Sequence, residues 1–486
     1  MMKGYRPAGK VILLLWWSVC CWSMALPIAM AQNQRILVSE SIQLRNDYGY
    51  EIIGRMRDRI LLFRDKADDF EVQAFDNNMR PTWSRVLEDL DKNGVQILAV
   101  IGGAERFSIV FRQRRRGVVH LRVHQYDAGA TRVDSATLKT YGDRLLAAPE
   151  LDLFRSEDRN CIVVVNMAER GRMETTCFRL DRLEVLWDKV LLIDDVYHDT
   201  NMRGMEVSNA GDFFLISEWN NRRNRLGAHE YQVLHVRTDS VRLIRVPLPD
   251  FLTIDAKFTF DNLNQTLVGG GFYAERNRDR ANGAFYVRVP LRGEPTVRYE
   301  SFSDRFISVL RRKDVTDDTR GIPYATVQQL VLRQDGGVLI VAELYHEIQR
   351  GTLAGRGIWR DGMRLVVDYY YDDVLLVTLS PDGSAHWMTV LHKRQYSQDD
   401  DAIFSSFCLL RAPDRVHFLF NDEIKYENTC SEYIVSPLGD FDRNSLLNTH
   451  GQNLRLRFRD ALQLNANECV VPSEFRNRLR LVLIRF

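Results

Sequence analysis

Residues 366–387, VVDYYYDDVLLVTLSPDGSAHW, can be read in two ways. Asp368, Asp372 and Asp373 make a carboxylate cluster of the kind that holds metals or moves protons. The same segment also reads as a strand, a turn and a strand, because residues 374–379 are a Val/Leu-rich run and Ser380-Pro381-Asp382-Gly383 is a tight-turn sequence. The surrounding chain favours the second reading, since the pattern of polar turn and apolar run recurs from end to end. It is seen as RDRILLF from Arg57, GAERFSIVF from Gly103, EDRNCIVVV from Glu157 and NAGDFFLISEW from Asn209, then as NLNQTLVGGGFY from Asn262, RQDGGVLIVAELY from Arg333 and APDRVHFLFND from Ala412.

The first strand residues of these copies are Ile60, Phe107, Cys161, Phe213, Thr266, Val338 and Val416, with spacings of 47, 54, 52, 53, 72 and 78 residues. A second strand follows each of them, a third apolar piece follows in most, and a short strand precedes nearly all. Four short antiparallel strands per repeat, each sheet with two apolar faces to bury, predict an all-β chain folded as a β-propeller of seven four-stranded blades. A multi-domain β-sandwich is the alternative. The expected domain covers 32–486, its ring closed by pairing of 34–43 with 469–486, and long helices are not expected. The two wide spacings place insertions near 303–323 and 345–368, and extra loop length on a rigid scaffold often carries function.

The N-terminus carries Lys3, Arg6 and Lys10, then an uncharged run over 11–31 that ends in Ala29-Met30-Ala31. This is the form of a signal peptide over 1–31, cleaved after Ala31, although 21 uncharged residues are also enough for an uncleaved anchor. The expected mature chain is exported to the periplasm, the outer membrane or the medium, with no transmembrane helix. Cleavage removes three of 66 basic residues and none of 65 acidic ones, leaving 63 against 65, a formal charge of −2. That near-neutral surface argues against nucleic-acid binding.

Glu218-Trp219 and Glu343 with Tyr345 fall at matching repeat positions, and a carboxylate beside an aromatic ring can bind sugars or cationic groups. Together with Asp255 they are the candidate ligand-binding residues. Gly269-Gly270-Gly271 takes the equivalent place in the fifth repeat and suggests close backbone approach. Arginine-rich FRQRRRG (111–117) and RNRDRANG (276–283) read as exposed hairpin tips. Asp399-Asp400-Asp401 lacks the alternating pattern of a calcium loop and reads as a loop between blades. Cys161 and Cys177 flank the turn AERGRME and are the candidate disulfide, while Cys408, Cys430 and Cys469 leave three pairings open. No linear motif of a hydrolase, phosphate-binding or dinucleotide-binding site is present, so no catalytic residue, metal or cofactor is expected.

The segment YYYDDVLLVTLSPDGSAHWMTVLHKRQYSQDDDAIFSSF (369–407) resembles an uncharacterised family of exported β-propeller-like proteins of Gram-negative bacteria. The resemblance spans about 40 residues of the sixth repeat, implies an exported propeller, and transfers no activity. The expected function is a non-catalytic secreted or envelope-associated scaffold for an envelope protein or a glycan. The alternative is a propeller enzyme acting on glycans or peptides through carboxylates at the channel mouth.

Overall fold

The structure is a computed structural model that describes residues 35–142, 149–169, 171–193, 196–197, 200–222, 227–275, 278–316, 320–353, 363–424 and 429–486. The expected leader and its cleavage site lie outside these residues. Eight antiparallel sheets, each with four strands on its main path, follow one another around a ring. In blade 1 the strands are Asp47–Met56, Arg59–Lys66, Phe70–Phe75 and Pro81–Val86, from the channel outward. Blades 2 to 7 repeat that order over 95–141, 151–192, 202–247, 252–301, 325–391 and 408–448.

The expectation of seven blades is therefore corrected to eight. The extra blade takes three strands from the C-terminus, Leu462–Asn465, Glu468–Phe475 and Arg478–Arg485, and its outermost strand from the N-terminus, Arg35–Val38. Register runs from Arg35 opposite Arg485 to Val38 opposite Val482, and Ile42–Gln43 adds a further short pairing on the same strand. This blade has its own copy of the repeat in NANECVVP, with Cys469 in the place of the other seven strand-opening residues, 53 residues after Val416.

The repeat is driven by burial on both faces of every sheet. In the second strand of blade 1, Leu61 and Phe63 pack toward blade 2 while Ile60 and Leu62 pack toward blade 8. A strand apolar on both sides reads as a continuous hydrophobic run, as "ILLF" does. Eight separate apolar layers result, one between each pair of neighbours, and the eighth, between blades 8 and 1, closes the ring.

Strand direction assigns the loops to faces. The hairpins between second and third strands and the crossovers between blades share one face, here called upper; the other two hairpins of each blade lie on the lower face. The FRQRRRG tip is an upper-face hairpin that closes on Arg116 and Gly117 at φ 50° and 86°, and the start of the RNRDRANG tip, 276–277, lies outside the described residues. Between blades 5 and 6 the upper crossover holds the helix Asp304–Arg311, capped by the Ser303 hydroxyl accepting from Phe306 N at 3.2 Å. Among the described residues no helix is long and apolar enough to cross a membrane, and no cluster of three metal-ligating side chains occurs.

The candidate disulfide is also corrected. Cys161 pairs with Arg179, and Cys177 pairs with Val163, so the two cysteines are diagonal neighbours, not directly opposed. Diagonal neighbours lie about 7–8 Å apart, beyond the usual Cα separation of a bridge, and both cysteines are free. Both are buried thiols in the layer between blades 3 and 4, and Cys408, Cys430 and Cys469 are buried thiols in the layer between blades 7 and 8.

Candidate functional site

The sequence-predicted carboxylates occupy a repeated joint. The residue five places after each strand-opening position lies near the upper end of the second strand, beside the crossover into the next blade. In blade 1 it is Asp65, which accepts from Lys92 in the crossover to blade 2. In blade 2, Arg112 donates to Pro149 O at 2.7 Å. Blade 4 has Glu218, accepting from Thr253 on the inner strand of blade 5; blade 6 has Glu343, accepting from the Ser406 hydroxyl at 2.6 Å, just before blade 7. In blade 7, Asn421 donates to Leu456 O at 2.9 Å; in blade 8, Glu474 accepts from Tyr50 of blade 1 at 3.4 Å. Blade 3 departs with Asn166, which bonds within its own sheet. Blade 5 departs with Gly271, where an added Cβ would sit 2.1 Å from the Asp255 carbonyl oxygen. Matching repeat positions thus carry matching joints.

Each suspect carboxylate is committed there. Burial pushes the Glu218 carboxyl up, but hydrogen bonds from His229, Thr253 and Arg203 outweigh it and hold it below its ordinary value. Arg203 Nε lies 2.7 Å from Glu218. His229 sets Nε2 3.1 Å from Glu218 and Nδ1 2.9 Å from Phe251 O. Glu343 is fully buried against the ammonium of Lys393, which also donates to Tyr371 O at 2.9 Å and Gln395 Oε1 at 3.0 Å. Burial draws the Lys393 ammonium below its usual pKa despite Glu343 and the neighbouring Asp372 and Asp373. Asp255 accepts from the backbone N–H of Val327 on blade 6 at 2.7 Å, and burial raises its pKa against that bond. Arg203 brings Glu218 and Asp255 into one neighbourhood, whereas Glu343 belongs to a different joint. Trp219 donates from Nε1 to Ser217 Oγ at 2.9 Å.

The carboxylates of 366–387 also disperse. Asp372 and Asp373 form a β-bulge, because Glu343 pairs with Val374 and Tyr345 with Tyr371, leaving two residues opposite Leu344. Beyond the bulge the two strands, Val338–Leu353 and Met363–Leu379, continue as an arm. From Tyr345 to Leu353 the arm is nine residues long, about 30 Å at the rise of an extended strand. A third strand, Gln395–Gln398, pairs with its base from Tyr371 to Asp368.

One face of this arm carries a ladder of rings. Tyr324 stacks on His346 at 4.5 Å, His346 on Tyr370 at 4.5 Å with planes 2° apart, and Tyr370 meets Tyr396 at 5.2 Å. The outer rings are solvent-exposed, Tyr324 at 59% and Tyr396 at 46%, and Ile348 at 44% extends the surface. Asp368 anchors it: hydrogen bonding to Arg350, and to Tyr396 OH at 2.8 Å and Gln398 at 2.9 Å, lowers its pKa to about 2. Tyr345 lies on the opposite face, its ring 4.6 Å from that of Tyr371. Sequence reading stopped at the aspartates of YYYDD and passed over the ladder. The available signal was strand alternation, which separates Tyr370 from Tyr369 and Tyr371, but the partner rings come from two other strands and from the turn before the inner strand.

Two cavities open at the channel wall. One, about 780 Å³, lies between blades 8 and 1 and holds Glu51, Arg155, Arg457 and Arg459 among its lining. Its Arg457 is neutralised by Asp460 at 2.6 Å and Glu474 at 2.6 Å. The other, about 460 Å³, runs along the inner strands of blades 6 to 8 and shares Arg459 and Ala461 with the first. Glu218, Asp255 and Glu343 line neither.

No protein-family model matches the chain, and no curated protein matches it. Solved structures with a similar course include the beta-propeller domain of the Trilobed protease from Pyrococcus furiosus, at 9% identity, 82% of this chain, 98% of that one and a TM-score of 0.37. Polysaccharide lyase Uly1 is similar at 10% identity over 80% and 89%, with a TM-score of 0.36. TolB from Acinetobacter baumannii is similar at 12% identity over 79% and 78%, with a TM-score of 0.28. Values this low carry no argument about activity.

Proposed function

We propose that this protein is a non-catalytic β-propeller, exported as its N-terminal sequence suggests, that acts as a binding scaffold for a macromolecular partner of the cell envelope. The observation that supports the reading most is the arm. A three-stranded projection with an exposed row of tyrosines and a histidine has the composition of an interaction surface, where large rings bury area at low entropic cost. With about half of each outer ring exposed, burying both covers roughly 150–250 Å² together, which supplies several kcal/mol at about 25 cal/mol per Å².

The competing reading, a propeller enzyme acting on glycans or peptides, requires paired carboxylates with free oxygens facing a pocket. Glu218, Asp255 and Glu343 instead direct theirs into blade joints. The test is a pull-down of tagged protein from cross-linked envelopes, comparing wild type with a variant in which residues 346–369 are replaced by a two-residue turn. Partners captured by wild type and lost by the variant support the proposal; identical partner sets from both, or none from wild type, overturn it.

A further inference from the structure

We propose that the channel wall of blades 6 to 8 is a binding site for an acidic sugar unit, whose carboxylate is held by Arg411 and Arg459 and whose hydroxyls meet Gln328 and Gln329. The site is separate from the arm and stands whether or not the arm docks a partner.

The cavity of about 460 Å³ falls within the size range of ligand pockets and is lined by Arg411, Arg459, Gln328, Gln329 and Gln463, with no carboxylate in its wall. Arg411 is exposed at the end of the inner strand of blade 7, and the carboxylate whose charge reaches it is Glu157, on a lower-face turn of blade 3. That carboxylate is engaged by Asn262 Nδ2 at 3.0 Å, and it makes no ion pair with Arg411. A guanidinium that faces a cavity without a close counter-ion can take a ligand carboxylate, whose geometry its fork matches. Arg459 is exposed, with Tyr371 OH 3.5 Å from its Nη1, so it too can pair with an incoming anion.

The amides indicate what carries the anion. Gln328 is the extra residue of a bulge between Val327 and Gln329 on the inner strand of blade 6, and bulges re-aim side chains. Gln463 fixes the wall by accepting from Arg411 N at 3.1 Å and donating to Arg411 O at 2.8 Å. Two guanidiniums beside amides that both donate and accept suit one charge on a polyhydroxylated ring. A densely charged polyanion would call for more cations.

The experiment is calorimetric titration of the wild-type protein with a trigalacturonate, its methyl ester, maltotriose and sodium sulfate. Saturable binding of the trigalacturonate, at least tenfold weaker binding of the ester and of maltotriose, and at least tenfold weaker binding by Arg411→Gln are expected. Gln329→Leu, which keeps both charges, is expected to weaken the trigalacturonate severalfold and leave sulfate unchanged. No binding of the acid, equal binding of acid and ester, or wild-type affinity in Arg411→Gln would each overturn the proposal. Sulfate binding as tightly as the trigalacturonate would replace it with a simple oxyanion site. Thermal midpoints of both variants within 2 °C of wild type, by the roughly 2–4 °C per kcal/mol of mid-sized domains, would confirm that folding is not the cause.

Discussion

Replacing Lys393 with Met tests the joint between blades 6 and 7. The Lys393 side chain is 1% exposed and Glu343 is fully buried, so the substitution leaves a carboxylate in the core with one neutral donor, the Ser406 hydroxyl at 2.6 Å. Removing one partner of a buried ion pair costs about 3–5 kcal/mol. Glu343→Gln should cost less, about 1–3 kcal/mol, because Lys393 keeps two acceptors, Tyr371 O and Gln395 Oε1, and only the charge partner is lost. The double variant Lys393→Met/Glu343→Leu removes both charges and should be more stable than Lys393→Met alone, giving a coupling of about 2 kcal/mol or more. Urea unfolding followed by tryptophan fluorescence and by far-UV circular dichroism reads these values, provided the two probes give one transition. A Lys393→Met variant within about 1 kcal/mol of wild type would refute the reasoning, since an isolated buried carboxylate cannot be that cheap.

Three further outcomes are expected. Glu206, on the inner strand of blade 4, is held protonated to about pH 7 by burial, against a backbone hydrogen bond from Phe260 and the charge of Lys257. Its folded pKa is raised, so the unfolded chain releases this proton first and stability falls between about pH 4.5 and pH 7, by up to roughly 3 kcal/mol. Glu206→Gln should flatten that slope in urea midpoints measured at pH 5 and pH 8. Gly271→Ala should lower the unfolding midpoint or prevent soluble expression, because its Cβ would meet the Asp255 carbonyl at 2.1 Å, whereas Gly49→Ala, with nothing within 4 Å, should be nearly silent. Cys161 and Cys177 should be alkylated by iodoacetamide after denaturation without reductant and protected from it in the native state, as mass spectrometry of the peptides would show.

The strand repeat was legible because burial on both sheet faces leaves an unbroken apolar run, and all seven strand-opening positions, from Ile60 to Val416, fall at the start of second strands. The eighth copy was hidden because its blade draws on both chain ends, although Cys469 opens the same pattern 53 residues after Val416. The equivalence of Glu218 and Glu343 was also visible, but their role was not: a matched period fixes position in the blade, and only the neighbouring crossover shows whether an oxygen faces a ligand or Thr253 and Ser406. Tyr324, His346, Tyr370 and Tyr396 span 72 residues and meet only through strand register, which one sequence does not reveal. The Cys161 and Cys177 pair failed for a related reason, since symmetry about a turn does not fix which residues stand directly opposed.

The most direct measurement compares two variants in the same envelope pull-down: Tyr324→Ser/Tyr370→Ser/Tyr396→Ser on the arm and Glu218→Gln at the joint. With the arm as the docking surface and Glu218 as a structural tether, the arm variant loses its partners while keeping the wild-type unfolding midpoint, and Glu218→Gln keeps its partners with a lowered midpoint. The reverse pattern, with partners retained by the arm variant and lost from a fully stable Glu218→Gln, would contradict the account and move the functional site to the joint between blades 4 and 5.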